Sequence, residues 1–203
     1  ELINVPSRSK ITPLISGPVY ETMGLTPLSY DDVVKSVGLG LRYTFKDLLG
    51  EENVPRALTL FRERYAQVFR GHTRLLPEAR EVLEELHRRG VRLGVATNKL
   101  GFFSRAIFET FGLQTLVAAN LGDGDVAENK PDPQMIEEAM RRMGVEKDNT
   151  VFVGDSLTDI KTGRNAGVRV FAVPTGTTSR AVLQAAGPTV VLDRLSDILH
   201  YVS

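Results

Sequence analysis

The sequence predicts an α/β fold: a doubly wound, Rossmann-like parallel sheet with helices on both faces, accompanied by a small helical bundle. Two observations carry this. After about residue 73, short apolar and β-branched runs alternate with amphipathic helical stretches. From about residue 12 to residue 72, apolar residues recur only at helical spacing and nothing reads as a strand. Strands separated by helices of this length pair in parallel through right-handed crossovers, which cover both faces of the sheet. A chain of 203 residues has room for one sizeable α/β domain with a smaller one inserted.

The elements follow in order. Thr12 and Pro13 form a cap and first-turn pair, and Ser29 with Asp32 has capping-box spacing. Asn53 and Pro55 open a further helix whose Leu58, Phe61, Tyr65, Val68 and Phe69 share one face, with Gly71 at its close. Pro77 to Arg89 reads as a helix with Val82, Leu83 and Leu86 inward and Gly90 at its end, followed by the strand VRLGVAT (91–97). A helix near 102–111 ends at Gly112, and the short strand LVAA (116–119) leads into the polar loop NLGDGDVAENKPD. Asp132 and Pro133 cap the next helix, which buries Met135, Ile136, Ala139, Met140 and Met143 and ends at Gly144. The strand TVFVG (150–154), a helix to Ala166, the strand VRVFAV (168–173), another helix and the strand TVVL (189–192) complete the alternation.

Composition narrows the chemistry. Lys+Arg and Asp+Glu both number 25, so the net charge is zero and nothing pulls the chain toward nucleic acid or an anionic membrane. The expected partner is a small molecule. There is no cysteine, which excludes disulfides, iron-sulfur clusters, thiolate zinc sites and a cysteine nucleophile. Any metal must sit on oxygen or imidazole, and with three His, at 72, 87 and 200, a hard cation on carboxylates fits better than zinc. The opening ELINVPSRSK lacks the apolar core of a signal peptide and no stretch approaches a membrane span, so a cytoplasmic location is expected.

In doubly wound sheets, ligands bind at the carboxyl ends of the strands. VRLGVAT ends in Thr97 and Asn98, TVFVG ends in Asp155, and the loop beyond LVAA carries Lys130 just before Pro131. A phosphoryl group beside a divalent cation suits this set. Thr97 and Asn98 can donate hydrogen bonds to phosphoryl oxygens, Lys130 can neutralise charge that builds in transfer, and Asp155 can ligate a hard metal. Asp159, one helical turn on, can reach the same ion directly or through water. Each residue also has a plainer explanation. Thr at a strand end is commonly a β-former meeting a turn, Lys before Pro a solvated loop residue, and Asp155 a cap for the following helix. Their joint placement at successive strand ends is what points to a site. Asp123 and Asp125 fit an acidic loop on its rim at least as well as metal ligation. Neither 38-GLGL-41 nor Gly122-x-Gly124 follows a strand and opens a helix, so neither is a dinucleotide fingerprint.

ATN at 96–98, KPDP at 130–133 and GDSLTD at 154–159 resemble the second, third and fourth motifs of the haloacid dehalogenase-like hydrolases. AGVRVFAVPTGTTS is similar to the segment that follows in their phosphoglycolate-phosphatase-like branch, and the resemblance covers nearly everything from residue 12 onward. It implies a core domain of residues 1–13 and 73–203, with a mobile helical cap, 14–72, inserted after the first strand. In this family an Asp attacks phosphorus, a second Asp two residues later acts as acid and base, and Mg²⁺ bridges phosphate and protein. The implied substrate is a small phosphorylated metabolite such as 2-phosphoglycolate. Thr97, Asn98 and Lys130 would bind it; Thr97, Lys130, Asp155, Asp159 and Asn4 would form the catalytic set; Asp155, Asp159 and Asn4 would hold Mg²⁺.

The family's first motif, Asp-x-Asp-Gly-Thr-x-x-Asp-Ser/Thr, departs here. With Thr12 as its last position, gap-free counting puts Asn4 at the nucleophile and Pro6 at the acid/base. Ser7, Arg8 and Ile11 replace the Gly, the Thr and the third Asp, and no Asp occurs before Asp31. An amide is a far poorer nucleophile than a carboxylate and Pro cannot shuttle a proton, so the covalent route is lost. The Asn4 amide oxygen, the Pro6 carbonyl, Asp155 and Asp159 can still hold a metal. Three explanations follow: a phosphate-ester binder descended from phosphatases, a true amino terminus elsewhere (Glu1 is not Met), or direct attack by water.

Overall fold

The computed structural model describes residues 3–4, 19–25 and 41–202. The Thr12–Pro13 cap, the Ser29–Asp32 spacing, Pro6 and most of 38-GLGL-41 lie outside these residues. Two compact units divide the chain, Ile3–Arg74 and Leu75–Ser203 with Glu1–Leu2.

The first unit holds β1 (Ile3–Asn4), α1 (Leu41–Leu49) and α2 (Val54–His72), and β1 forms a two-stranded ladder with β2 (Arg74–Leu75). Phe45 of α1 packs with Val54 and Ala57 of α2 and with Val19 and Tyr20. Along α2, Phe61, Tyr65 and Phe69 repeat every fourth residue and therefore share a face. Their rings stack in series with centroids 5.8 Å apart at each step, and Phe45 meets Phe61 edge-on at 6.0 Å. The helix does not close at Gly71; it runs to His72 and stops where Thr73 turns extended, its hydroxyl donating to the Phe69 carbonyl at 2.6 Å.

In the second unit, helices and strands alternate as α3 (Ala79–Arg88), β3 (Gly94–Leu100), α4 (Gly101–Thr110), β4 (Ala119–Asp123) and α5 (Gln134–Met143). They continue as β5 (Val151–Gly154), α6 (Leu157–Asn165), β6 (Arg169–Ala172), α7 (Arg180–Ala185), β7 (Val190–Val191) and a 3₁₀ segment, Leu195–His200. β3 pairs with β4, and β5–β6–β7 form a second ladder, and all of these pairings are parallel. The α/β class follows from these pairings.

Double winding is visible in the side chains of β6. Phe171, together with Val173 just beyond the strand, packs with Ala79, Val82 and Leu86 of α3 and with Leu192, Leu195 and Ile198. Val170 and Ala172 pack with Ile160 of α6 and Leu183 of α7. Successive side chains on a strand point to opposite faces, so one strand feeds two cores, and each large apolar side chain so buried contributes roughly 1.5–3 kcal/mol. β4 divides in the same way. Ala119 and Leu121 pack with Ala139 of α5, while Asn120 Oδ1 accepts from Ser104 of α4 at 2.6 Å.

Two strands lie three residues later than their apolar runs suggest. β3 begins at Gly94, and just before it the Arg92 guanidinium donates to the Met143 and Gly144 carbonyls at the end of α5. β4 occupies 119–123 and not 116–119, because Gln114–Leu116 winds into a 3₁₀ turn, so the first part of the expected loop is strand. The helix expected from Pro77 begins at Ala79. Among the described residues no helix is long and apolar enough to cross a membrane.

Candidate active site

β3 reaches the site through an irregularity. Its register with β4 runs from Gly94↔Ala119 to Ala96↔Leu121 and resumes only at Leu100↔Asp123. Three residues, Thr97, Asn98 and Lys99, therefore stand opposite Gly122 alone, and such bulges re-aim side chains. Thr97 Oγ1 accepts from the Lys99 amide at 3.2 Å, which leaves the hydroxyl's own proton to be donated elsewhere. Asn98 turns to the loop before α5: its Oδ1 accepts from the Lys130 amide at 2.9 Å and its Nδ2 donates to the Lys130 carbonyl at 3.0 Å. This two-way clamp spans 32 residues of sequence.

The end of β5 is organised by a capping box. Ser156 Oγ accepts from the Asp159 amide at 3.1 Å, and Asp159 Oδ2 accepts from the Ser156 amide at 3.2 Å, completing the reciprocal cap of α6. The same Oδ2 accepts from the Asp155 amide at 3.2 Å and the Ser156 hydroxyl at 2.6 Å. Gly154 is required by this turn: a Cβ there would stand 2.2 Å from Asp159 Cβ. Ser156 is the cap, so Asp155, itself buried at 7% exposure, is not spent on capping.

Lys130 joins the two strand ends. Its Nζ donates to Asp159 Oδ1 at 2.7 Å, with side-chain exposures of only 11% and 8%, and lies 5.6 Å from the centre of the Phe152 ring. Burial alone would raise the Asp159 pKa, but the Lys130 charge and hydrogen bonds from Lys130 and Ser156 override it and hold the carboxyl at about 2. The structure thus places Asp159 on Lys130 and the α6 cap. The Ser156-x-x-Asp159 spacing was the available signal for this, since it is also the spacing of a capping box.

The rest of the loop is tied down by Asn165 and Gln134, which the sequence alone did not single out, and by Asp125. Asn165 Nδ2 donates to the Pro131 carbonyl at 2.9 Å, and Gln134 Oε1 accepts from the amides of Ala127 and Glu128 at 2.7 and 3.0 Å. Asp125 Oδ2 accepts from Arg105 at 2.7 Å and from the Gly122 amide at 2.9 Å, so Asp125 latches the rim to α4.

The Asp159 pKa fixes a pH dependence. A carboxyl depressed in the folded state contributes stability above its ordinary pKa near 4, and that contribution is lost as pH falls through about 2. For this buried group it is worth roughly 2 kcal/mol. Urea unfolding from pH 5 down to pH 2 should show the wild type losing about that much more than Asp159→Asn. Parallel losses in the two proteins would refute the assignment.

Mg²⁺ is compatible with this donor set. Among the described residues no three His, Asp or Glu side chains gather around one point, and Asp155 is the buried carboxylate at the β5 end outside the Lys130 pair. Mg²⁺ usually keeps several waters and is held by one or two carboxylates together with substrate phosphate, so one protein carboxylate suffices. The Asn4 backbone lies in β1, and its side chain is outside the described residues.

Comparison with known proteins agrees with the fold and with the family resemblance. A family profile described as haloacid dehalogenase-like hydrolase matches residues 11–173. Phosphoglycolate phosphatase 1 of Pseudomonas aeruginosa is 30% identical over 187 residues, spanning 88% of this chain and 68% of that protein. The phosphoglycolate phosphatase of Agrobacterium fabrum is 33% identical over 177 residues, spanning 84% and 76%. A haloacid dehalogenase-like hydrolase structure from Bacteroides fragilis shares the fold with a TM-score of 0.86 at 24% identity, covering 97% of this chain and 94% of that one. The chain belongs to the haloacid dehalogenase-like hydrolases, in their phosphoglycolate-phosphatase-like branch. Thr97, Asn98, Lys130, Asp155 and Asp159 fall inside the matched stretch; Asn4 and Pro6 precede it.

Proposed function

We propose that the chain is a Mg²⁺-dependent phosphatase for a small phosphomonoester of the 2-phosphoglycolate type, acting in the cytoplasm. The observation that supports this is a set of three links: Asn98, next to Thr97, clamps the Lys130 backbone, the Lys130 ammonium donates to Asp159 Oδ1, and Asp159 Oδ2 accepts from the Asp155 amide. Links of this kind tie together the segments that carry the Thr97 hydroxyl, the Lys130 ammonium and the Asp155 carboxylate, and preorganised charge is the main resource of phosphoryl-transfer sites. Thr97 donates its hydroxyl proton to a phosphoryl oxygen. Lys130 spends one N–H on Asp159 and offers the other two to phosphoryl oxygens. Asn98 and Asp159 hold Lys130 in place, and Asp155 holds Mg²⁺, which supplies charge neutralisation at the phosphate. Substrate choice is assigned to residues 14–72 and the phosphoryl chemistry to residues 1–13 and 73–203.

With Asn4 and Pro6 at the first motif, hydrolysis proceeds by direct attack of water: its oxygen bonds to phosphorus, the ester P–O bond breaks, and the proton that the water gives up passes to the leaving alkoxide. Those two residues also favour a second reading, a catalytically silent binder of phosphate esters. Phosphate release from 2-phosphoglycolate and related esters, followed by ³¹P NMR with and without Mg²⁺, separates the two. Slow Mg²⁺-dependent release supports the enzyme. A ligand-induced rise in melting temperature without product supports the binder, and neither effect removes both. Activity that appears only after Asn4→Asp with Pro6→Asp would show the remaining site to be competent.

A further inference from the structure

The loop that follows β6 carries none of the roles described so far, yet it presses on Asp155. A Cβ built on Gly176 would stand 2.5 Å from Asp155 Oδ2, 2.8 Å from Cγ and 3.3 Å from Cβ. Carbon contacts are ordinarily 3.5–4.0 Å, so any side chain at 176 must displace the carboxylate or the loop. The φ of Gly176 is not in the left-handed region, so space and not backbone freedom selects glycine here. Thr175, its neighbour, has a buried Oγ1 without a hydrogen-bond partner among the described residues, where buried hydroxyls almost always find one. The loop is fixed to the strand that carries Asp155: the Val173 amide donates to the Gly154 carbonyl at 2.9 Å, and the Thr175 amide to the Val173 carbonyl at 2.9 Å.

We propose that the segment Pro174–Thr177 is a wall of the Asp155 site, in which Gly176 positions the carboxylate and the Thr175 hydroxyl adds an oxygen to the water shell of the cation held there. This rests on the reading of Asp155 as the Mg²⁺ holder. Gly176 is exposed whereas Asp155 is buried, so the loop backbone screens the carboxylate from solvent on that side. A carboxylate confined in this way keeps one rotamer, and such supporting contacts commonly set metal affinity by about 10–100-fold.

The test is Mn²⁺ binding by electron paramagnetic resonance in the wild type, Gly176→Ala, Thr175→Val and Thr175→Ser. Gly176→Ala should weaken Mn²⁺ binding about tenfold or more, while the metal-free melting temperature stays within about 3 °C of wild type. Thr175→Val should weaken binding about threefold or more and Thr175→Ser should restore it. Should Gly176→Ala not fold, Thr175→Val decides, because it keeps the volume of the side chain. Wild-type affinity in both variants, or no Mn²⁺ binding by the wild type, overturns the proposal. Phosphate release is scored separately: a wild type that binds Mn²⁺ but never turns over removes the phosphatase reading and leaves this inference standing.

Discussion

Lys130→Met is expected to abolish phosphate-ester binding and to destabilise the protein by about 3–5 kcal/mol, the cost of leaving a buried charge without its partner. Methionine keeps most of the aliphatic stem and removes only the ammonium. Asp159 Oδ1 then loses its 2.7 Å partner while its side chain remains 8% exposed, too dry for water to substitute freely. The carboxyl also loses the charge that does most to hold its pKa at about 2, so it moves up toward the neutral form. Urea unfolding at pH 7 measures the loss. Adding Asp159→Asn to Lys130→Met should return much of the stability and none of the binding, since the amide needs no counter-ion. A loss below about 1 kcal/mol would mean that the pair behaves as an exposed one, contrary to its burial.

Asp155→Asn should have the opposite profile: a retained fold with Mg²⁺-dependent binding and turnover lowered about a hundredfold or more. The substitution is isosteric, and the cap of α6 runs through Ser156 and Asp159, using only the backbone amide of residue 155. The side-chain charge is therefore separable from the turn that presents it. Thermal melting, Mg²⁺ titration and phosphate release on one preparation check this. Unchanged Mg²⁺ dependence would move the cation site away from Asp155.

The helices and the α/β alternation were legible because they rest on short-range periodicity. Val82, Leu83 and Leu86 of α3 are buried as their spacing says, and so are Met135, Ile136 and Ala139 of α5, while Met140 and Met143 are half-buried. VFAV at 170–173 is apolar at every position because β6 feeds a core on either side, the pattern of a strand inside a covered parallel sheet. The end of β3 was not legible. Thr97, Asn98 and Lys99 look like the exit from a strand, and the bulge opposite Gly122 exists only in the register with β4.

The candidate site shows the same division. The types and order of Thr97, Lys130 and Asp155 could be read along the chain, whereas the work of Asn98 and Asp159 depends on a partner about thirty residues away. Asn98 was expected to face a phosphoryl group, and both polar groups of its side chain bond the Lys130 backbone. Asp159 was expected to reach a metal beside Asp155, and the structure gives its Oδ1 the Lys130 ammonium and its Oδ2 the helix cap. Spacing one turn apart brings two carboxylates close without fixing which cation each one takes.

The most direct measurement of the central claim is a crystal structure of the protein grown with Mg²⁺ and inorganic phosphate. The account predicts one phosphate bonded by Thr97 Oγ1 and Lys130 Nζ, with the cation on the Asp155 carboxylate and the Lys130–Asp159 pair intact. Phosphate bound away from Lys130, or a cation held without Asp155, would contradict it.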